Sequence, residues 1–191
     1  GFHVVAACLL RMKDKESTLN IGVIDACIEL VRSFGADSRG GDGLAAALQG
    51  LLFDFRVWGN ATRFSQAYLL HAASDLVADS GRALHEGVGI QQIIDVMRLY
   101  VCRQRTDVSG IATVDSHQLA CADACHKLLA VALDAAVTTR KTTSPEVEVL
   151  VLCLEETNSI MLVERLVRAL VQLRFTFPEV LRETLCGGDV R

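Results

Sequence analysis

Apolar residues recur every three or four positions along most of this chain, and very little interrupts them. Ile21, Ile24, Ile28 and Val31 stand at i, i+3, i+7 and i+10, and Leu162, Leu166, Leu170 and Leu173 follow a similar step near the other end. On a helix this spacing collects one apolar stripe, whereas on a strand it would scatter the same side chains over both faces. Only two prolines occur in 191 residues, so few positions are barred from helix interiors. An aromatic content of 5% beside abundant Ala, Leu and Val also disfavours a small β-sandwich. At 51% hydrophobic, a chain of this length can bury about 70% of its unfolded surface without a disulfide or metal staple.

Start and stop signals cut the pattern into nine predicted helices. The first covers about 4–12 and ends in the charged loop 13–17; the second covers about 20–34 and stops at Gly35. The Gly-rich run 35–43 reads as a loop, with Asp42 capping a third helix over about 43–54. Trp58 and Gly59 close a turn before a fourth helix over about 61–79, which Ser80 and Gly81 terminate. A fifth spans about 88–105, and Asp115 with Gln118 resembles a capping box for a sixth over about 115–138. Ser144, Pro145 and Glu146 place a cap, a first-turn proline and a first-turn carboxylate in the favoured order for a seventh. An eighth covers about 159–174, and the pattern from Thr176 to Glu179 opens a short last helix ended by Gly187 and Gly188.

Nine helices without a convincing strand predict an all-α chain. The run from Leu128 to Leu133 is apolar all round, which suits an inner helix covered on both sides. A closed bundle and a stack of hairpins both satisfy that demand. Helix starts fall roughly 20 residues apart, so pairs recur at about 40, the armadillo or HEAT period. The stretches Ala26 to Phe34 and Val163 to Phe175, each closing a Leu/Val/Arg-rich helix in Phe, agree with such a repeat. The preferred reading is an armadillo/HEAT-like α-solenoid of stacked helical hairpins, one domain over residues 1–191.

Charge and cysteine usage narrow the function classes. The net charge of −4 is scattered, with no run of like charge longer than two residues, a poor footprint for nucleic acid. No stretch free of Asp, Glu, Lys and Arg exceeds eleven residues, as in Gly43 to Phe53, too short to cross a bilayer. The seven cysteines, at 8, 27, 102, 121, 125, 153 and 186, are odd in number and set in apolar runs, which fits free buried thiols in a reducing compartment. The opening Gly1-Phe2-His3 lacks an initiator Met and a signal peptide, so the chain reads as an internal piece of a longer protein. In that setting the sequon at Asn60 to Thr62 is inert.

Chemistry has few footholds. His117, Cys121 and Cys125 stand at i, i+4 and i+8 on one helix face, with His126 adjacent, and two thiols plus an imidazole are zinc-ligand types. A straight helix separates i from i+8 by about 12 Å, too far for one ion, so packed thiols in a core stripe are the plainer reading. Cys125 and His126 point about 100° apart on a helix and form no nucleophilic dyad by themselves. Gly87, Gly89 and Gln92 start like a dinucleotide fingerprint, but Gln replaces the third Gly and no strand precedes. Arg98, Arg103 and Arg105 meet the carbonyl end of the fifth helix or form a partner patch. The string Arg140, Lys141, Thr142, Thr143 and Ser144 is a weak kinase-type pattern. The carboxylate pairs Asp14/Glu16, Glu146/Glu148 and Glu155/Glu156 read as solvated ends without the apolar pocket that acid–base work needs.

Four groups of landmarks carry a family resemblance. They are the opening from Gly1 to Leu10, Leu51-Leu52-Phe53 followed by Val57-Trp58, Tyr68-Leu69-Leu70, and the run from Gly89 to Tyr100. In this order they resemble BEACH proteins, the neurobeachin/beige-like group, in the armadillo-like region that precedes the PH and BEACH modules. The resemblance covers about residues 1–105, and residues 106–191 join it by continuity. It implies a scaffold segment without enzyme activity or cofactor, in a cytoplasmic protein that associates peripherally with membranes and serves vesicle trafficking. Partners would be proteins, with no nucleic acid, and membrane association would come only through other parts of the parent protein. Gly1, Phe2, Trp58, Tyr68, Gly89 and Tyr100 look like packing landmarks, so no catalytic, cofactor-binding or metal residue is assigned. Two other classes stay open: a small metal-binding or cysteine-dependent helical enzyme using His117, Cys121 and Cys125, and a GTPase-regulating bundle with an arginine acting in trans.

Overall fold

The computed structural model describes residues 1–12, 14–37, 42–78, 80–101, 116–139, 144–156, 160–176, 178–179 and 182. Among these residues every regular element is helical. In chain order they are α1 (Phe2–Leu10), α2 (Lys15–Thr18), α3 (Ile21–Asp37), α4 (Asp42–Ala47), a π-helical turn (Leu48–Leu52), α5 (Phe55–Trp58) and α6 (Arg63–Val77). There follow α7 (Gly81–Gly87), α8 (Gly89–Val101), α9 (Ser116–Thr139), α10 (Ser144–Glu156) and α11 (Ile160–Thr176).

These helices stack in two rows. One row is α3, α6, α9 and α11, each packed on the next; the other runs from α1 and the π-helical turn through α7 to α8 and α10. Cross-packing of α3 on α4, α7 and α8 on α9, and α10 on α11 closes the core between the rows. The first-row helices begin at residues 21, 63, 116 and 160; the intervals of 42 and 44 lie near the expected period of about 40, and the middle one, 53, is longer. The matching stretches ending at Phe34 and Phe175 fall on α3 and α11, two members of that row.

α9 holds the middle. Cys121, Ala124, Cys125, Leu128, Leu129, Ala132 and Ala136 are all buried, because α6, α7, α8 and α11 surround it. A helix covered on several sides needs small and apolar residues all round, and its Ala-rich sequence meets that need. The stripes that marked α3 and α11 also face the core: Ile24, Ile28 and Val31 are buried, as are Leu166 and Leu173.

Several boundaries differ from the sequence expectation. α3 runs to Asp37, past Gly35, since a glycine costs a helix only about 1 kcal/mol when packing continues. The third helix widens into the π-helical turn before Phe53. Residues 81–87, read as a link, form α7, whose Ala83 and Leu84 are buried. The expected cap at Asp115, the fifth helix beyond 101 and most of the short last helix lie outside the described residues.

Candidate functional site

The face singled out for chemistry does not converge on a point. His117 is exposed at the start of α9, edge-on to the Phe64 ring with centroids 5.5 Å apart. Cys121 is buried, its Sγ 3.8 Å from the Arg63 carbonyl oxygen, a weak hydrogen bond into the start of α6. Cys125 is buried a turn further on, and burial, with Cys121 adding to it, pushes its thiol far above the ordinary range. Thiols held protonated in apolar surroundings are poor nucleophiles and poor metal ligands. Cys27, also buried, is raised for the same reason. Among the described residues no three His, Cys, Asp or Glu side chains are grouped to hold a metal ion.

The dinucleotide-like glycines have packing jobs instead. A Cβ on Gly87 would sit 2.5 Å from the Ala45 carbonyl oxygen, so the missing side chain lets α7 approach α4. Gly89 takes a φ of +75°, the left-handed conformation that joins α7 to α8. Gln92 donates from Nε2 to the Phe53 carbonyl at 3.0 Å, which holds α8 to the end of the π-helical turn.

The remaining candidates are dispersed. Arg98 lies on α8, whereas Arg103, Arg105 and residues 140–143 lie outside the described residues. Glu146 is half-buried near His85 of α7, at 3.7 Å from Nδ1, while Glu148 and Glu155 are exposed. Asn60 of the sequon donates to the Arg56 carbonyl at 2.9 Å.

Other polar side chains matter more for the frame than the sequence reading suggested. Asp54 is buried, caps α5 by accepting from Arg56 N at 3.2 Å, and takes the Arg56 guanidinium through Nε at 2.8 Å. The guanidinium holds its carboxyl below the usual carboxylate range. Gln66, also buried, donates to the Trp58 carbonyl at 3.0 Å and the Ala61 carbonyl at 3.1 Å. An Asp just before a helix start was a readable signal at 54; nothing in the local sequence marks Gln66.

Surface hollows flank α9. One, of about 130 Å³, lies between α9 and α11 and includes Leu133, Asp134, Arg168 and Gln172; the buried His126 forms part of its wall. Another, of about 360 Å³, lies between α9 and the junction of α6 with α7 and includes Gly81, Val131, Asp134 and Thr138. No helix among the described residues is long and apolar enough to cross a membrane.

Set beside known families, this geometry has a counterpart. The model of the neurobeachin/BDCP, DUF4704 alpha solenoid region matches residues 1–185. The chain belongs to that family. No curated protein and no solved structure matches it.

Membership in the neurobeachin/BDCP solenoid family extends the kinship well beyond residue 105, where the sequence landmarks stop. It also agrees with the two-row stack of helices. The landmarks themselves are structural. Trp58 is fully buried and donates from Nε1 to the Leu51 carbonyl at 2.8 Å, satisfying an acceptor at the end of the π-helical turn. Phe2 packs against the core from α1, and Tyr68 reaches from α6 to α3.

Proposed function

We propose that this solenoid segment is a non-catalytic interaction scaffold within a large BEACH-type protein that serves vesicle or membrane trafficking. The observation that carries this reading is the fate of the two thiols on the face singled out for chemistry. Cys121 and Cys125 are spent on helix packing around α9, while the hollows sit on the surface between helices. A helical stack of this kind leaves extended faces for partners while its core is continuous inside. Family membership adds support, because the matched region is a solenoid.

On this reading residues 1–191 form one armadillo-like domain of a longer chain. The parent is cytoplasmic, binds protein partners rather than nucleic acid, and meets membranes peripherally through its other parts. The test is to purify the parent protein with and without residues 1–185 and compare what co-purifies. Loss of specific proteins on deletion is expected; an unchanged set refutes the scaffold role. Metal analysis of the purified chain gives an independent check, since stoichiometric zinc surviving dialysis would overturn the non-catalytic reading.

A further inference from the structure

α11 carries two apolar stripes. Leu166, Ala169 and Leu173 are buried, and the helix packs on α9 and α10. Ile160, Val167 and Val171, at i, i+7 and i+11, are instead 84%, 43% and 49% exposed, with the half-buried Val163 between them at i+3. At about 100° per residue these four side chains fall within an arc of about 80°, turned away from the buried stripe. The solvent sides of the other first-row helices are charged where α3 exposes Asp25, Glu29 and Arg32 and α9 exposes Lys127 and Asp134.

α3 shows how a stripe of this kind is used in the stack. Its Leu30-Val31-Arg32 recurs as Leu166-Val167-Arg168 on α11, and in both helices an isoleucine precedes the valine by seven positions, Ile24 and Ile160. Ile24 and Val31 are fully buried on α3, which packs against α4, the π-helical turn and α6, the elements that come after it in the chain. The same two positions on α11 stand in water. Charge does not give this face another use. Glu164 and Arg168 neutralise each other one turn apart, and Arg174 sits in the last turn, at the carbonyl end of the helix.

We propose that the face at Ile160, Val163, Val167 and Val171 is an internal joint of the parent protein, covered by a further helical hairpin of the same chain stacked on α11 as α4, the π-helical turn and α6 are stacked on α3. The inference rests on reading the segment as part of a longer solenoid. The joint continues an interface already present three times in the first row, between α3 and α6, α6 and α9, and α9 and α11. Burying the stripe removes apolar surface from water, as each earlier contact does.

The test places Val167→Cys and Val171→Cys in the 191-residue chain and in the parent protein, with maleimide labelling followed position by position by mass spectrometry. Both positions should react as fast as the exposed Cys8 in the 191-residue chain, and about tenfold or more slower in the parent. Lys127→Cys, on the solvent side of α9, should react alike in both. Val167→Glu should leave the urea midpoint of the 191-residue chain unchanged, and it should speed limited proteolysis of the parent beside α11 by about tenfold. Equal labelling of positions 167 and 171 in the two proteins, or a parent indifferent to Val167→Glu, overturns the proposal. So does protection that develops in the 191-residue chain as its concentration rises, which would assign the face to a second copy. If deleting residues 1–185 loses co-purifying proteins while labelling is equal, the scaffold reading stands and the joint fails. If labelling is slowed in the parent and no protein is lost, the joint stands without the scaffold.

Discussion

The Tyr68 hydroxyl donates to the Asp25 carboxylate at 2.7 Å, across 43 positions of sequence. Both residues lie in the second turn of their helices, α3 and α6. The Phe64 and His117 rings meet at the starts of α6 and α9 in the same way. These helices therefore lie parallel and nearly in register, as corresponding helices of successive repeats do.

The Tyr68 hydroxyl titrates above its ordinary range because it donates a hydrogen bond to the Asp25 carboxylate, so the bond stabilises the fold below the unfolded tyrosine pKa, near 10. That contribution is lost as pH rises through the raised folded value. In a Tyr100→Phe background, leaving one tyrosine, ultraviolet titration should give a midpoint above that of a tyrosine peptide. Asp25→Asn should bring it down.

Asp54 has the opposite sign. Its carboxyl is held low by Arg56, so its contribution is present above the unfolded carboxylate pKa and disappears as pH falls through the folded one. Asp54→Asn should lower the urea midpoint at pH 7, and the gap from the parent protein should close by pH 2. A gap of constant size would mean that the charge contributes nothing.

Gly87→Ala tests the close approach of α7 to α4. The added Cβ, 2.5 Å from a backbone oxygen, has no flexible neighbour to push aside, and a loss of about 1–3 kcal/mol is expected by denaturation. Gly22→Ala is the contrast: its nearest neighbour is the Asn20 side chain at 3.3 Å, and a change smaller than 1 kcal/mol is expected.

Trp58→Phe removes the indole donor from the buried Leu51 carbonyl, which keeps only the longer bond from Asp54 N–H at 3.4 Å, so a cost of about 1 kcal/mol is expected by urea unfolding. Trp58→Ala adds a cavity and should cost about 3–5 kcal/mol.

Thiol accessibility separates core cysteines from reactive ones. With Cys102 and Cys186 replaced by Ser, Cys8 should react quickly with Ellman's reagent, while Cys27, Cys121, Cys125 and Cys153 react only on unfolding. Fast reaction at Cys121 or Cys125 in the native protein would restore that face as a chemical site.

Much of the fold was legible locally. The stripes of α3 and α11 follow from side-chain spacing, and the start of α10 at Ser144 follows from cap chemistry. α7 was not, because two glycines and a serine at its ends imitate a loop and its helicity rests on burying Ala83 and Leu84. At the candidate site, the incompatible spacing of His117 and Cys125 could be read from helix geometry alone. The hollows beside α9 could not, since one needs α9 beside α11 and the other needs α9 beside the junction of α6 with α7.

The sequence by itself determined that the chain is helical, roughly where its helices fall and at what period they pair, because those properties depend on residues within a few turns of one another. Tertiary structure decided which glycines allow close approach, which helices exchange side-chain hydrogen bonds, and where hollows open beside α9. Many of those outcomes depend on residues from different helices, such as Asp25 and Tyr68, 43 positions apart, and local spacing does not encode them.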